Sequence, residues 1–255
     1  MRKILILLAA VILVSCAGSK TKNVCKNTEY IKAIKDKAID EFNRANYQLA
    51  LEDMLTVKDC EARDPEVYYW LGRIYYARVE KEKARTNLEQ ALSLNPQYPE
   101  ANEFMGMMFL EEGKYDQAIS YLKTAATNDR YRLAYQAWNS LGWIYLQQGK
   151  LQDAEAAFAR SLALNPNFCW AHCNLGELKA KQKNYAAAYA SYQKALELCP
   201  DLPRAHRLLG LEYTRQGKRQ PACTEFGLAL KYAAPDSEDG KSSQEYLKVL
   251  NCPQP

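Results

Sequence analysis

The chain has 255 residues, 48% of them hydrophobic, with 34 Lys and Arg against 30 Asp and Glu and a formal net charge of +4. A near-neutral balance with no basic run excludes a nucleic-acid surface built on electrostatics, and the length suits one extended domain rather than two globules. Eight cysteines are many for a scaffold of a reducing compartment and point to an exported protein.

Taken in chain order, Arg2 and Lys3 precede an apolar run from Ile4 to Val14. That run is too short to span a bilayer as a stable helix, so residues 1–15 are expected to be a signal peptide. It ends in Leu13-Val14-Ser15-Cys16, which resembles the bacterial lipobox. The resemblance implies that Cys16 takes a thioether-linked diacylglycerol and becomes the first residue of the mature chain. Several acyl chains on one residue give the multiple signals that stable anchoring needs. Ala17 follows, not Asp; by resemblance to Gram-negative lipoproteins this implies an anchor in the outer membrane, on its periplasmic side. Residues 16–30 are expected to be the lipidated cysteine and a tether, polar and without periodicity from Ala17 to about Asn27. Such a flexible segment reaches roughly 18 Å.

From residue 31 onward a 34-residue period runs through the chain. A small residue recurs at the eighth position, as Ala38, Gly72, Gly106, Gly142, Gly176 and Gly210, and alanine at the twentieth, as Ala50, Ala84, Ala118, Ala154, Ala188 and Ala222. Pro96, Pro166 and Pro200 follow at position 32, where a residue without an N–H stops a helix. The units are 31–64, 65–98, 99–132, 135–168, 169–202 and 203–236, with Leu133 and Ala134 inserted before the fourth. The first is an atypical cap. Residues 237–255 are expected to form a C-terminal cap, with a helix over Ser242–Leu250. In unit 135–168, Trp138, Leu141, Gly142, Tyr145, Ala154, Phe158 and Pro166 complete the pattern of a tetratricopeptide repeat. That resemblance implies an all-α, right-handed superhelical solenoid of six helical hairpins, with a concave surface that binds other chains.

No catalytic constellation appears. His172 and His206 fall at position 4 of their units and are expected to be helix-packing residues. Nucleophile elbows, phosphate loops and metalloprotease helices are absent from the sequence. No cofactor, no metal and no small-molecule substrate is expected, and the chain is read as a non-enzyme.

Specificity is expected on the first helix of each hairpin, where positions 2, 5, 9, 12 and 13 usually face the groove. Read down the chain, Ile39, Phe42, Tyr69, Tyr76, Met107, Leu110, Trp143, Leu146 and Trp170 make an apolar strip for an amphipathic segment. Arg73 and Glu177 also stand at position 9. Asn139, Lys181, Arg204 and Arg207 do not form a matched cluster in adjacent units, so a clamp for a peptide C-terminus is not expected.

Seven cysteines remain after Cys16. In a helical hairpin the start of the first helix lies beside the end of the second. Cys199 is therefore expected near Cys169 or Cys173, Cys60 near Cys25, and Cys223 near Cys252, leaving one of Cys169 and Cys173 reduced. A lipobox, a short tether and six such repeats resemble the type IV pilus secretin pilotins, the PilF/PilW/Tgl group. That resemblance implies an outer-membrane lipoprotein that promotes assembly of the secretin ring, with a secretin subunit as partner. A lipoprotein adaptor for peptidoglycan enzymes or outer-membrane protein assembly would use the same fold and anchor.

Overall fold

The computed structural model describes residues 25–234 and 236–253; Cys16, the signal peptide and most of the tether lie outside them. The described residues hold thirteen α-helices and no strand. In order these are α1 Thr28–Asn43, α2 Tyr47–Cys60, α3 Pro65–Ala77, α4 Lys81–Leu94, α5 Pro99–Glu111, α6 Tyr115–Ala126, α7 Ala134–Gln147, α8 Leu151–Leu164, α9 Cys169–Lys181, α10 Tyr185–Leu198, α11 Pro203–Arg215, α12 Arg219–Tyr232 and α13 Glu238–Val249.

The 34-residue period sets the boundaries. Every second helix of a hairpin begins at position 17 of its unit, and α3, α5, α9 and α11 begin at position 1. The residue at position 15 has a positive φ in all six hairpins. It is Gly113, Gly149 and Gly217 in three of them, and Ala45, Val79 and Lys183 in the others. Glycine takes that conformation without a steric penalty, whereas a β-branched residue such as Val79 is strained there. Helix starts are capped where the sequence supplies an acceptor. Asn27 Oδ1 accepts from the Tyr30 N–H at 3.0 Å, Asp64 Oδ1 from the Glu66 N–H at 2.9 Å ahead of Pro65, and Ser237 Oγ from the Gly240 N–H at 3.2 Å.

Three boundaries differ from the sequence-based expectation. Helix α1 begins at Thr28, inside the segment read as tether, because the Asn27 cap starts it there. Helix α13 begins at Glu238, four residues before Ser242, because Ser237 caps it and Glu238 and Asp239 occupy its first turn. Helix α7 begins on the inserted Ala134 rather than at Tyr135, and α6 before it ends at Ala126, two positions short of the other second helices.

The small residue at position 8 has one physical meaning throughout. A Cβ built on Gly72, Gly106, Gly142, Gly176 or Gly210 would fall under 3.0 Å from the side chain at position 24: Leu88, Leu122, Phe158, Tyr192 or Phe226 respectively. Those five side chains are buried, at 1% exposure or less, and the glycine lets the two helices of a hairpin close around them.

Neighbouring hairpins are tied by a second recurring device. The side chain at position 4 reaches the backbone carbonyl six residues earlier, at position 32 of the preceding unit. Tyr68 donates to the Ala62 carbonyl (3.1 Å), Asn102 to Pro96 (2.9 Å), and the imidazole Nε2 atoms of His172 and His206 meet Pro166 (2.8 Å) and Pro200 (2.9 Å). Position 32, a proline in three of the four, lies just beyond the helix end, and its carbonyl finds a donor on the next helix.

The described residues divide into two compact units, one ending at Met105 and the other beginning at Gly106. The described core of the first contains Ile31, Met54, Val57, Leu71, Ile74, Leu88 and Met105. The second holds three described clusters. One gathers Leu146, Ala154, Phe158 and Leu178; another Cys169, Cys173, Tyr192, Leu202 and Leu209; the third Cys223, Phe226 and Leu247 under α13. Disulfides join Cys25 to Cys60, Cys169 to Cys199 and Cys223 to Cys252, with Cα separations of 5.0, 6.0 and 5.6 Å. Cys173 is the free thiol among the described residues; it is buried, and burial pushes its pKa up to about 12.

Candidate protein-binding faces

In the first unit the residues expected to bind a partner gather around aromatic rings. Phe42 at the end of α1 lies edge-on to Trp70 of α3, with centroids 5.6 Å apart, and 5.5 Å from Tyr47. Tyr69 meets Trp70 at 5.5 Å and Tyr98 at 5.7 Å, and Tyr76 meets Phe104 at 5.2 Å. All of these rings are partly exposed, as is Ile39. The Arg73 guanidinium lies among them, 4.7 Å from the Trp70 centroid, 4.8 Å from Phe42 and 5.7 Å from Tyr69. Trp70 and Phe104 stand at position 6, which sequence reasoning passed over. Large aromatic residues there, beside aromatic residues at positions 5 and 12, were the available signal.

In the second unit the expected residues separate. Met107 and Trp170 are 43% and 44% exposed. Leu110 is partly exposed. Trp143 is also partly exposed and packs against Tyr115 at 6.2 Å. Leu146 departs from the expectation: it is 0% exposed, packed with Ala154, Phe158 and Leu178, and presents nothing to a partner. The apolar residues that remain available in this unit are Met107, Leu110, Trp143 and Trp170.

Several polar residues of the second unit pair with one another or with α13. Arg204 pairs with Glu177 at 2.5 Å, and Arg207 with Asp239 of α13 at 2.6 Å. Asn174 Nδ2 donates to Asn139 Oδ1 at 2.9 Å. With both arginines held by carboxylates, a clamp for a peptide C-terminus does not assemble from these side chains. Among the described residues no group of three His, Cys, Asp or Glu side chains is placed to hold a metal ion, and no helix is long and apolar enough to cross a membrane.

His206 carries a pH-dependent part of the stability. Its Nδ1 lies 2.7 Å from the Glu225 carboxylate, its Nε2 faces the Pro200 carbonyl, and its ring stacks on Tyr232. Burial lowers its pKa, but the bonds to Glu225 and the Pro200 carbonyl outweigh burial and the net shift is upward. Two acceptors face two ring nitrogens, so the imidazolium is the form that satisfies both. A raised folded-state value stabilises the fold fully below the ordinary histidine value of about 6.5, and that contribution is lost as pH rises through the folded value. His206→Gln is therefore expected to cost more stability at about pH 5.5 than at about pH 9 in urea titrations. An equal cost at both would show that the ring acts through packing alone.

Twelve of the thirteen described helices, paired on a 34-residue period around small position-8 residues, define a helical-repeat scaffold. Tetratricopeptide-repeat profiles match residues 65–98, 105–167 and 178–217, and the chain belongs to the tetratricopeptide-repeat family. It is 22% identical over 240 residues to the type IV pilus assembly protein PilF of Pseudomonas aeruginosa, covering 92% of this chain and 95% of PilF. It is 27% identical over 228 residues to anaphase-promoting complex subunit 3 of Schizosaccharomyces pombe, of which it spans 33%. Its fold resembles that of PilW, a type IV pilus biogenesis factor, with a TM-score of 0.71 and 21% identity over 85% of this chain and 99% of PilW.

Proposed function

We propose that the protein is a lipid-anchored scaffold on the periplasmic side of the outer membrane, without enzymatic activity of its own, that promotes assembly of a type IV pilus secretin. The observation that carries this reading is the end-to-end correspondence with PilF. The chain spans a third of the eukaryotic subunit it also resembles, but 95% of the pilus assembly protein. The lipobox at Cys16 supports an anchor, and the polar stretch after it supports a position close to the membrane surface. The exposed Met107 and Trp170, with Trp143 and Leu110 beside them in sequence register, support capture of an apolar or amphipathic segment. A secretin subunit that has not yet joined its ring would expose such segments.

Deleting the gene tests the reading. The expected outcome is loss of the detergent-resistant secretin multimer with unchanged muropeptides and unchanged levels of other barrel proteins. A normal multimer with altered muropeptides, or a general fall in barrel proteins, would replace this reading with that of an adaptor for peptidoglycan enzymes or barrel assembly.

A further inference from the structure

The Arg73 cluster in the first unit is built like half of an ion pair. Several other cations of this unit sit against carboxylates. Lys35 is bound by Asp64, Glu61 and Glu66 at 2.7, 2.9 and 3.4 Å, Lys37 by Asp53 at 2.9 Å, Arg44 by Asp40 at 2.8 Å and Arg78 by Glu80 at 2.7 Å. Arg73 has no carboxylate within 4.0 Å among the described residues, although it is only partly exposed. It rests instead on Phe42 and Trp70, with the Tyr69 ring 5.7 Å away. Aromatic rings hold a guanidinium in place and restrict its orientation without neutralising it. Its planar N–H edge matches a carboxylate through two parallel hydrogen bonds.

We propose that Arg73 receives the carboxylate of a single Asp or Glu on the docking segment of a protein partner, with that segment's neighbouring apolar side chains lying on Phe42, Trp70 and Tyr69. The proposal rests on the protein-binding reading above and adds the chemistry by which the partner is recognised. Charge complementarity selects the occupant. One guanidinium walled by rings suits one carboxylate flanked by apolar residues. The arrangement fixes register, because a carboxylate displaced along the segment would face a ring rather than a cation. Ring burial alone would accept many apolar segments, whereas a guanidinium without a carboxylate partner disfavours those that lack an acid at the right place.

The test uses the full-length lipidated protein in detergent and two fluorescein-labelled, C-terminally amidated peptides, Leu-Phe-Glu-Leu-Leu and its twin with Gln in place of Glu. Fluorescence anisotropy is expected to show the Glu peptide binding about tenfold tighter than the Gln peptide. Arg73→Gln should bring the two together by weakening only the Glu peptide. Arg73→Lys, which keeps the charge but not the planar fork, should retain only part of the preference. Circular dichroism melts of both variants matching the wild type would show that folding is not the cause. Equal binding of the two peptides, no binding of either, or a preference that survives Arg73→Gln would overturn the proposal. So would displacement of the Glu peptide by glycerol 3-phosphate at constant ionic strength, which would reassign the site to a lipid headgroup. The assay contains no secretin. A normal multimer in the deletion strain would refute the secretin reading and leave this result standing, and a failure here beside a lost multimer would refute only the role of Arg73.

Discussion

Phe158→Ala is expected to destabilise the second unit by about 3–5 kcal/mol, the range for deleting a large ring from a packed core. Phe158 is 0% exposed and touches the cluster of Leu146, Ala154 and Leu178. Its ring also lies against the backbone of Gly142, close enough that a built Cβ would fall 2.5 Å from the ring's Cε1. A glycine has no side chain with which to fill the space, so collapse around the cavity is limited and the cost falls toward the upper end of the range. The same geometry gives a coupled expectation. Gly142→Ala alone should destabilise by about 1–3 kcal/mol through overpacking. Placed in the Phe158→Ala background it should be neutral or stabilising, because the clash is gone and alanine favours a helix over glycine by about 0.5–1 kcal/mol. Chemical denaturation of the two single variants and the double variant measures all three. Additive losses would mean that the ring does not sit against Gly142.

Removing the Cys223–Cys252 bridge, as Cys223→Ser with Cys252→Ser, is expected to cost about 2–4 kcal/mol. The bridge closes a loop of 29 residues that contains most of α12 and all of α13. Loop-closure entropy of that size is removed from the unfolded chain when the sulfurs are joined. The loss should be local. Helix α13 is held to α12 by Tyr246 stacked on Phe226 at 4.9 Å and by Leu247, and at its C-terminal end Arg219 donates to the Leu250 carbonyl at 2.5 Å. Hydrogen exchange should therefore show amides of α13 losing protection first, while those of α7 and α8 keep theirs, as nearest-neighbour coupling in repeat proteins dictates. A uniform loss through both regions would show that the bridge stabilises more than the cap.

The fold was legible because it is written in local residues. Glycine at position 8 and proline at position 32 act through hard-sphere sterics and a missing N–H, neither of which depends on distant sequence, and they mark the hairpins. The cysteine spacing was equally readable, since a hairpin brings its ends together whatever its neighbours are. The alternative between Cys169 and Cys173 was not, because both lie on one face of α9 a turn apart, and the level along the axis at which Cys199 meets it decides. The faces were less legible. Leu146 occupies the same register position as Tyr76 and Leu110, yet it turns into the core with Phe158 and Leu178, a choice set by packing around the α7–α8 hairpin. The pairing of Arg204 with Glu177 and of Arg207 with Asp239 crosses from one helix to another and has no local signature. The donors at position 4 differ in chemistry (Tyr68, Asn102, His172, His206), so a search for one residue type could not find them, although each meets the same carbonyl.

The proposed capture of a secretin segment by exposed apolar side chains on the first helices is tested most directly by the amount of detergent-resistant secretin multimer in cells carrying Trp143→Ser or Met107→Glu at the native level. Trp143 is chosen as a partly exposed aromatic anchor of the kind that dominates protein interfaces, and Met107 because a charge at a 43% exposed side chain leaves the core intact. A multimer reduced by about tenfold or more, with each variant folded and fractionating as the wild type does, is the expected result, in line with the loss of about 2 kcal/mol that removal of a hot-spot residue brings. Wild-type multimer levels in both folded variants would contradict it.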